Sequence, residues 1–159
     1  MSVPFHIDLN GKVAVVTGAG GVLCSGMAEA LAQCGAKVAL LDLNGDAASH
    51  SADIITDAGG IAKGYQANAL EKDSLETAHM KILDDFGPCD ILINGAGGNH
   101  PLATTDKEYF SAADLEEDVK TFFDLGQSGV EFVFNLNFIG TLLPTQVFAR
   151  DMVGRKGCN

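Results

Sequence analysis

Tryptophan is missing from this 159-residue sequence, tyrosine occurs only as Tyr65 and Tyr109, and there are four prolines. Against that scarcity stand 19 glycines, as an α/β protein needs where strands pass through tight turns into helices. Basic residues are few as well: 10 Lys and Arg face 21 Asp and Glu, a formal net charge of −11. A surface that follows the phosphates of nucleic acid or an anionic membrane requires the opposite balance, so neither partner is expected and a small polar molecule is. Met1 to Gly11 lack the basic and apolar regions of a secretory signal, and no apolar run approaches the length of a membrane span. A cytoplasmic protein is expected. Cys24, Cys34, Cys89 and Cys158 form no C-x-x-C pair, and His6, His50, His79 and His100 have no ligand spacing. No metal is expected, and the cysteines read as reduced thiols.

What is present fits one domain over residues 1–159, with 47% hydrophobic and 19% charged residues. Val13 to Val16 form a short apolar run of the kind buried on both faces of a parallel sheet. Leu23, Met27, Leu31 and Cys34 then recur at helical spacing, and Gly35 supplies a stop. Lys37 to Leu41 read as a second strand closing on Asp42, and Asp46 to Ala58 as a helix ended by Gly59-Gly60. Ile61 to Gln66 read as a weaker third strand. Asp73 or Ser74 can cap a helix whose Leu75, Ala78, Ile82, Leu83 and Phe86 share a face, and Asp90 to Ile93 read as a fourth strand. This alternation predicts a Rossmann-type, doubly wound parallel sheet with ligands at the carboxyl ends of the strands. Periodicity fails over 97–128, a long loop expected over the active site, and helical spacing resumes from Gly129 to Val153.

The turn Thr17-Gly18-Ala19-Gly20-Gly21-Val22-Leu23-Cys24 falls between the first strand and first helix, where backbone amides and the helix dipole can hold a pyrophosphate. A tight connection without a ligand would use the same residues. Asp42 ends the second strand 24 positions after Gly18. There a carboxylate can accept hydrogen bonds from a ribose diol and repel a 2′-phosphate, and Leu43-Asn44-Gly45 supply no arginine to neutralise one. NAD is therefore expected over NADP, a solvated loop aspartate being the plain alternative. Small residues return after the fourth strand in Asn94-Gly95-Ala96-Gly97-Gly98.

Thr17-Gly18, Asp42, Asn94-x-Ala96-Gly97 and Asn137-Phe138-Ile139-Gly140, in this order and spacing, resemble the short-chain dehydrogenase/reductase family. The resemblance runs from Leu9 nearly to the end of the chain. It implies that Gly18, Gly20, Gly21 and Leu23 contact the cofactor diphosphate, that Asp42 and Leu43 select NAD, and that Asn68 and Ala69 lie at the adenine. It further implies that Asn94, Gly95, Ala96 and Gly97 border the cofactor, and that Asn137, rather than Asn135, is the helix asparagine of a proton relay. Asn99 and His100 are the candidates to meet substrate, with a purely structural loop as the alternative. The family's T-G-x-x-x-G-x-G would place glycines where Val22 and Cys24 stand, and Gly95 replaces an asparagine. An early Gly21 is closer to the extended nucleotide-sugar epimerase branch, which fits Asn94-x-Ala96-Gly97 less well. An S-adenosylmethionine methyltransferase would need an acid before the glycine turn, where Val15-Val16-Thr17 stand.

Within the family the turn, the Asn94 to Pro101 segment and Gly140-Thr141-Leu142-Leu143-Pro144-Thr145-Gln146 look most like the sugar-acid branch. Its members are D-mannonate oxidoreductases interconverting D-mannonate and D-fructuronate. The family moves a hydride to or from nicotinamide while a tyrosine, assisted by a lysine four residues later and a serine, moves the proton. The fourth followers of Tyr65 and Tyr109 are Ala69 and Ala113. Neither tyrosine qualifies, so the catalytic serine, tyrosine and lysine are expected after Asn159, in roughly 100 further residues of a full domain. The sheet would then be incomplete on its carboxyl-terminal side, and this chain alone inactive, marginally stable or associating through its open edge. A non-catalytic nucleotide-binding fragment is the competing reading. A homo-oligomer is expected, as is usual for the family.

Overall fold

The computed structural model describes residues 7–157; His6 and Cys158 lie outside them. Four strands, β1 (Val13–Thr17), β2 (Lys37–Asp42), β3 (Ile61–Gln66) and β4 (Ile91–Ile93), form one sheet. All pairings are parallel, in the order β3-β2-β1-β4. Between them run α1 (Val22–Gln33), α2 (Gly45–Asp57) and α3 (Lys72–Asp85). The doubly wound α/β sheet expected from the alternating pattern is therefore present. From β1 the chain winds outward through β2 to β3, then crosses to the other side of β1 for β4. The reversal lies between β1 and β4, where the carboxyl ends diverge and a crevice opens.

Each strand residue alternates between faces, so the apolar run of β1 supplies two cores. Val13 and Val15 join Ala39, Leu41, Leu75, Ile82, Val147 and Phe148 on one face, while Ala14 and Val16 join Val38, Leu40, Ala28, Ala32 and Ile55 on the other. Full burial of a valine, leucine or phenylalanine side chain contributes roughly 1.5–3 kcal/mol, enough to place these strands without further help.

The helix faces required correction. In α1 the buried residues are Cys24, Ala28 and Ala32, whereas Leu23 is 78% exposed and Met27 47% exposed. The predicted Leu23-Met27-Leu31-Cys34 stripe is one position out of phase, because small residues let the helix axis approach the sheet and the larger ones are left at the rim. In α3 Leu75, Ala78 and Ile82 are buried and Leu83 is exposed. Neither Asp73 nor Ser74 caps α3. Glu71 holds the cap position without a side-chain capping bond, and Ser74 Oγ accepts the N–H of Asn68 instead.

A continuous helical stretch, Gln127–Met152, closes the fold. It comprises α4 (Gln127–Phe134), a π-helical turn over Asn135–Ile139, α5 (Gly140–Phe148) and a final 3₁₀ turn. At 26 residues it is long and apolar enough, by length and composition, to cross a membrane. The expectation that no apolar run approaches such a span is thereby corrected: Glu131, Asn135 and Asn137 interrupt the run without lowering its average enough. Its second half belongs to the domain, with Val147 and Phe148 buried in the core beside Leu143 and Met152.

Candidate functional site

The carboxyl ends of β1, β2 and β4 enclose a cleft of about 640 Å³. Its lining includes Gly18, Gly21 and Leu23 of the first turn, Asp42 and Leu43 after β2, Asn68 and Ala69 after β3, and Gly95 to Gly97 after β4. Parallel strands point their last residues to one side of the sheet, which is why segments up to 79 positions apart by hydrogen bond, Thr17 to Ala96, meet here.

Thr17 ends β1 with its side chain buried, and its Oγ1 accepts the N–H groups of both Gly95 and Ala96 at 3.1 Å. Gly18 follows at φ +68°, and a methyl group there would lie 2.8 Å from the Gly95 carbonyl oxygen and 2.9 Å from Ala96 N. Only glycine satisfies both the left-handed backbone and that approach. Helix α1 then begins without a side-chain cap and without an acidic residue in its first turn. Its leading amides and positive dipole end are left to an anionic group.

Asp42 is half-buried at the end of β2. One carboxylate oxygen accepts from Gly20 N at 2.9 Å and the other from Asn44 N at 2.9 Å. The acid is thereby tied directly to the glycine turn, a link the sequence spacing alone did not contain. A methyl group on Gly20 would lie 2.7 Å from the Ala47 methyl and 3.0 Å from the Asp42 carboxylate. Leu43 is exposed beside it. Asn68 is already engaged: its side-chain oxygen accepts Leu70 N at 3.0 Å and its amide donates to Glu71 at 2.9 Å. A single lone pair on that oxygen remains for another donor.

Asn94 donates from Nδ2 to Thr145 Oγ1 at 2.9 Å, while its Oδ1 is buried without a hydrogen-bond partner among the described residues. Asn137 sits in the π-helical turn, a feature often found at functional sites. Its Nδ2 donates to the carbonyls of Gly98 and Val133 at 2.8 Å, and its Oδ1 accepts from Gly98 N at 3.2 Å. It pins the loop after β4 to the helix. Asn99 Oδ1 accepts from His100 N, and His100 Nδ1 accepts from Leu102 N, so both side chains shape their own turn. The His100 ring packs at 5.2 Å on Phe132, which lines the cleft.

The segment after His100 holds 3₁₀ turns at Pro101–Ala103, Ala112–Leu115 and Phe122–Asp124, two of them closed by capping boxes. Lys107 donates to Asp114 at 2.6 Å and to Glu117 at 2.8 Å. That ammonium and the Ser111 N–H hold the buried Asp114 carboxyl below the usual carboxylate range. Tyr109, Phe110, Phe122 and Phe123 are exposed on this lobe.

Neither tyrosine borders the cleft. Tyr65 is buried and donates to Asp85 at 2.8 Å, and burial with that bond pushes its phenol up. Cys24, Cys34 and Cys89 are free thiols. No group of three His, Cys, Asp or Glu side chains is placed to hold a metal among the described residues. Sequence reasoning missed the part played by Thr17 Oγ1 and the Phe132 and Leu136 wall of the cleft. The wall carried a legible mark, an i, i+4 apolar pair one turn before Asn137.

The chain belongs to the short chain dehydrogenase family, whose model matches residues 12–159. It is 55% identical over 159 residues to an uncharacterized oxidoreductase of Haemophilus influenzae, covering all of this chain and 55% of that protein. It is 45% identical over 151 residues to the uncharacterized oxidoreductase UxuB of Bacillus subtilis, covering 95% of this chain and 53% of the relative. A crystal structure from Haemophilus influenzae, provisionally named a D-mannonate oxidoreductase and holding NAD, matches with TM-score 0.90 and 56% identity over 96% of this chain and 54% of that one. The chain thus spans about half the length of the curated relatives it matches.

Proposed function

We propose that this chain forms the nucleotide-binding part of an NAD(H)-dependent oxidoreductase acting on a sugar acid. The observation that carries the reading is the Asp42 carboxylate bonded to Gly20 N. It joins, in one cleft, an acid suited to a ribose diol and a glycine turn opening an uncapped helix. The uncapped start of α1 beside the cleft fits a cradle for a diphosphate, and the negative Asp42 disfavours a 2′-phosphate.

In this reading the diphosphate lies against the turn of Gly18, Gly20, Gly21 and Leu23 and is held by the leading amides of α1, the Gly20 and Gly21 N–H groups being bonded to Asp42 and to the Gly18 carbonyl. Asp42 accepts from the ribose hydroxyls, with Leu43 against the adenosine, and Asn68 and Ala69 flank the adenine. Asn94 to Gly97 border the nicotinamide side, and the Asn137 amide holds that loop at its distance. The chemistry a nicotinamide nucleotide supplies when bound is hydride exchange with a carbinol or carbonyl carbon. Segment 97–128, with Asn99 and His100 at its start, covers the substrate side.

D-mannonate and D-fructuronate are the proposed substrate pair, supported by the name of the 56% identical NAD-bound relative. The proposed setting is the cytoplasm, in keeping with the net charge of −11. A homo-oligomer is supported by the exposure of Phe134 and Phe138 along the Gln127–Met152 stretch.

Fluorescence titration with NADH and NADPH tests the reading. Saturable binding that favours NADH is the expected result, and binding of neither, or a preference for NADPH, would reject it. Turnover of D-fructuronate with NADH by the chain would reject the competing view of a non-catalytic nucleotide-binding fragment.

A further inference from the structure

Cys24 is the third residue of α1, buried to 9% exposure, and its Sγ–H donates to the Gly95 carbonyl over 3.7 Å. A methyl group built on Gly95 would collide with that sulfur and lie 2.9 Å from the Thr17 carbonyl oxygen. Gly95 is not among the glycines with positive φ, so its backbone would accept an L side chain. What excludes one is the occupied space. From the other side Gly18 abuts the Gly95 carbonyl, and Thr17 Oγ1 takes the Gly95 and Ala96 N–H groups. The turn after β1 and the loop after β4 therefore meet through backbone and one sulfur, and both line the cleft. Close-packed contacts of this kind yield little, so the group filling this one sets how far apart the two walls stand. Burial and the charge of Asp42 push the Cys24 thiol up, which keeps it a protonated donor at neutral pH.

We propose that Cys24 is a positioning residue: its thiol, seated in the side-chain space of Gly95, sets the separation of the two loop walls and through it the affinity for the dinucleotide. The proposal rests on the reading of the cleft as an NAD(H) site.

The test is a double-mutant cycle on the 159-residue chain, comparing wild type, C24A, G95A and C24A/G95A by melting temperature and by NADH fluorescence titration. G95A is expected to lower the melting temperature and to weaken NADH binding at least about tenfold. In C24A/G95A the sulfur is gone, leaving the new methyl 3.6 Å from the residue 24 methyl and 2.9 Å from the Thr17 carbonyl oxygen. The G95A loss should therefore be recovered in part, with NADH binding at least about threefold tighter than in G95A, and C24S, which keeps a donor, should bind close to wild type. Additive losses in the double variant would overturn the proposal. Rescue of melting without rescue of NADH affinity would reduce the contact to packing and overturn the positioning role. Absence of NADH binding by the wild-type chain would overturn the cofactor reading and the affinity half of this proposal together, whereas non-additive melting would still uphold the contact.

Discussion

At the amino end of the parallel sheet the polar groups are charged side chains bonded to one another, whereas at the carboxyl end they are mostly backbone groups and short residues facing a cleft. Before β4, buried Asp90 accepts Val13 N at 2.9 Å and Arg155 Nη2 at 2.6 Å, with Lys12 Nζ at 3.5 Å. Arg155 also donates to the Cys89 carbonyl, and Asp151 takes both the Cys89 N–H and His79 Nε2 at 2.9 Å. Burial and the Asp151 charge push the Cys89 thiol up to about 12. Opposite, α1 starts uncapped and Asn94 Oδ1 has no partner among the described residues. Buried polar groups are ordinarily satisfied, so the contrast separates the end that holds the fold together from the end arranged to hold something else.

The largest effect expected is on the closed end. D90A removes the acceptor shared by Val13, Lys12 and Arg155, and should destabilise the chain by about 3 kcal/mol in urea denaturation. Its folded fraction should keep its NADH affinity. A loss of under about 1 kcal/mol would mean that this network is ornamental and the contrast between the ends false.

Next comes G18A, which forces a left-handed alanine against the Gly95 carbonyl. It should cost about 1–3 kcal/mol in stability and weaken NADH binding by about tenfold or more, read by melting and by titration. Unchanged binding would remove the turn from the ligand site. D42N removes the charge and turns one of the two oxygens that accept Gly20 N and Asn44 N into a donor. It should weaken NADH about tenfold or more, the value of a charge-assisted bond, narrow the gap to NADPH, and lower the melting temperature through the backbone N–H left without an acceptor.

The smallest effect lies outside both ends. Hydrogen bonds from Lys63 and Tyr65 hold the Asp85 carboxyl below its usual range. A carboxylate with a lowered folded pKa stabilises fully above its unfolded value near 4, and that contribution fades as pH falls through the folded value. The melting temperatures of wild type and D85N should therefore differ at pH 7 and converge toward pH 3. A constant gap across that range would rule out the ionised pair as its cause.

Much of the cleft could be read in advance, because it is made of residues whose type declares their use. Gly18 at the end of an apolar strand, an acid closing the next strand and a run of small residues after the fourth need no packing detail to be noticed. The family followed from their order. The outcome for α1 was different: the Leu23 to Cys34 stripe and the Cys24-Ala28-Ala32 stripe are both periodic, and hydrophobicity alone favours the larger residues. Sheet geometry chose the smaller ones. Asn68 looked open to a ligand but is largely committed to Leu70 and Glu71. Asn137 was singled out for a relay and is found clasping Gly98 from both its amide atoms.

The sequence by itself determined the parallel α/β architecture, the succession of strands and helices from Val13 to Ile93, the glycine turn and the acid at Asp42, because each depends on local periodicity or on a residue's own conformational freedom. Only the tertiary structure decided that Asp42 would bond to Gly20, that Thr17 would hold the Gly95 loop, and that Cys24 would fill the space beside it. Those contacts join segments separated by 22 to 79 positions, and such distances are set by how strands stack across the switch between β1 and β4, which no local pattern encodes.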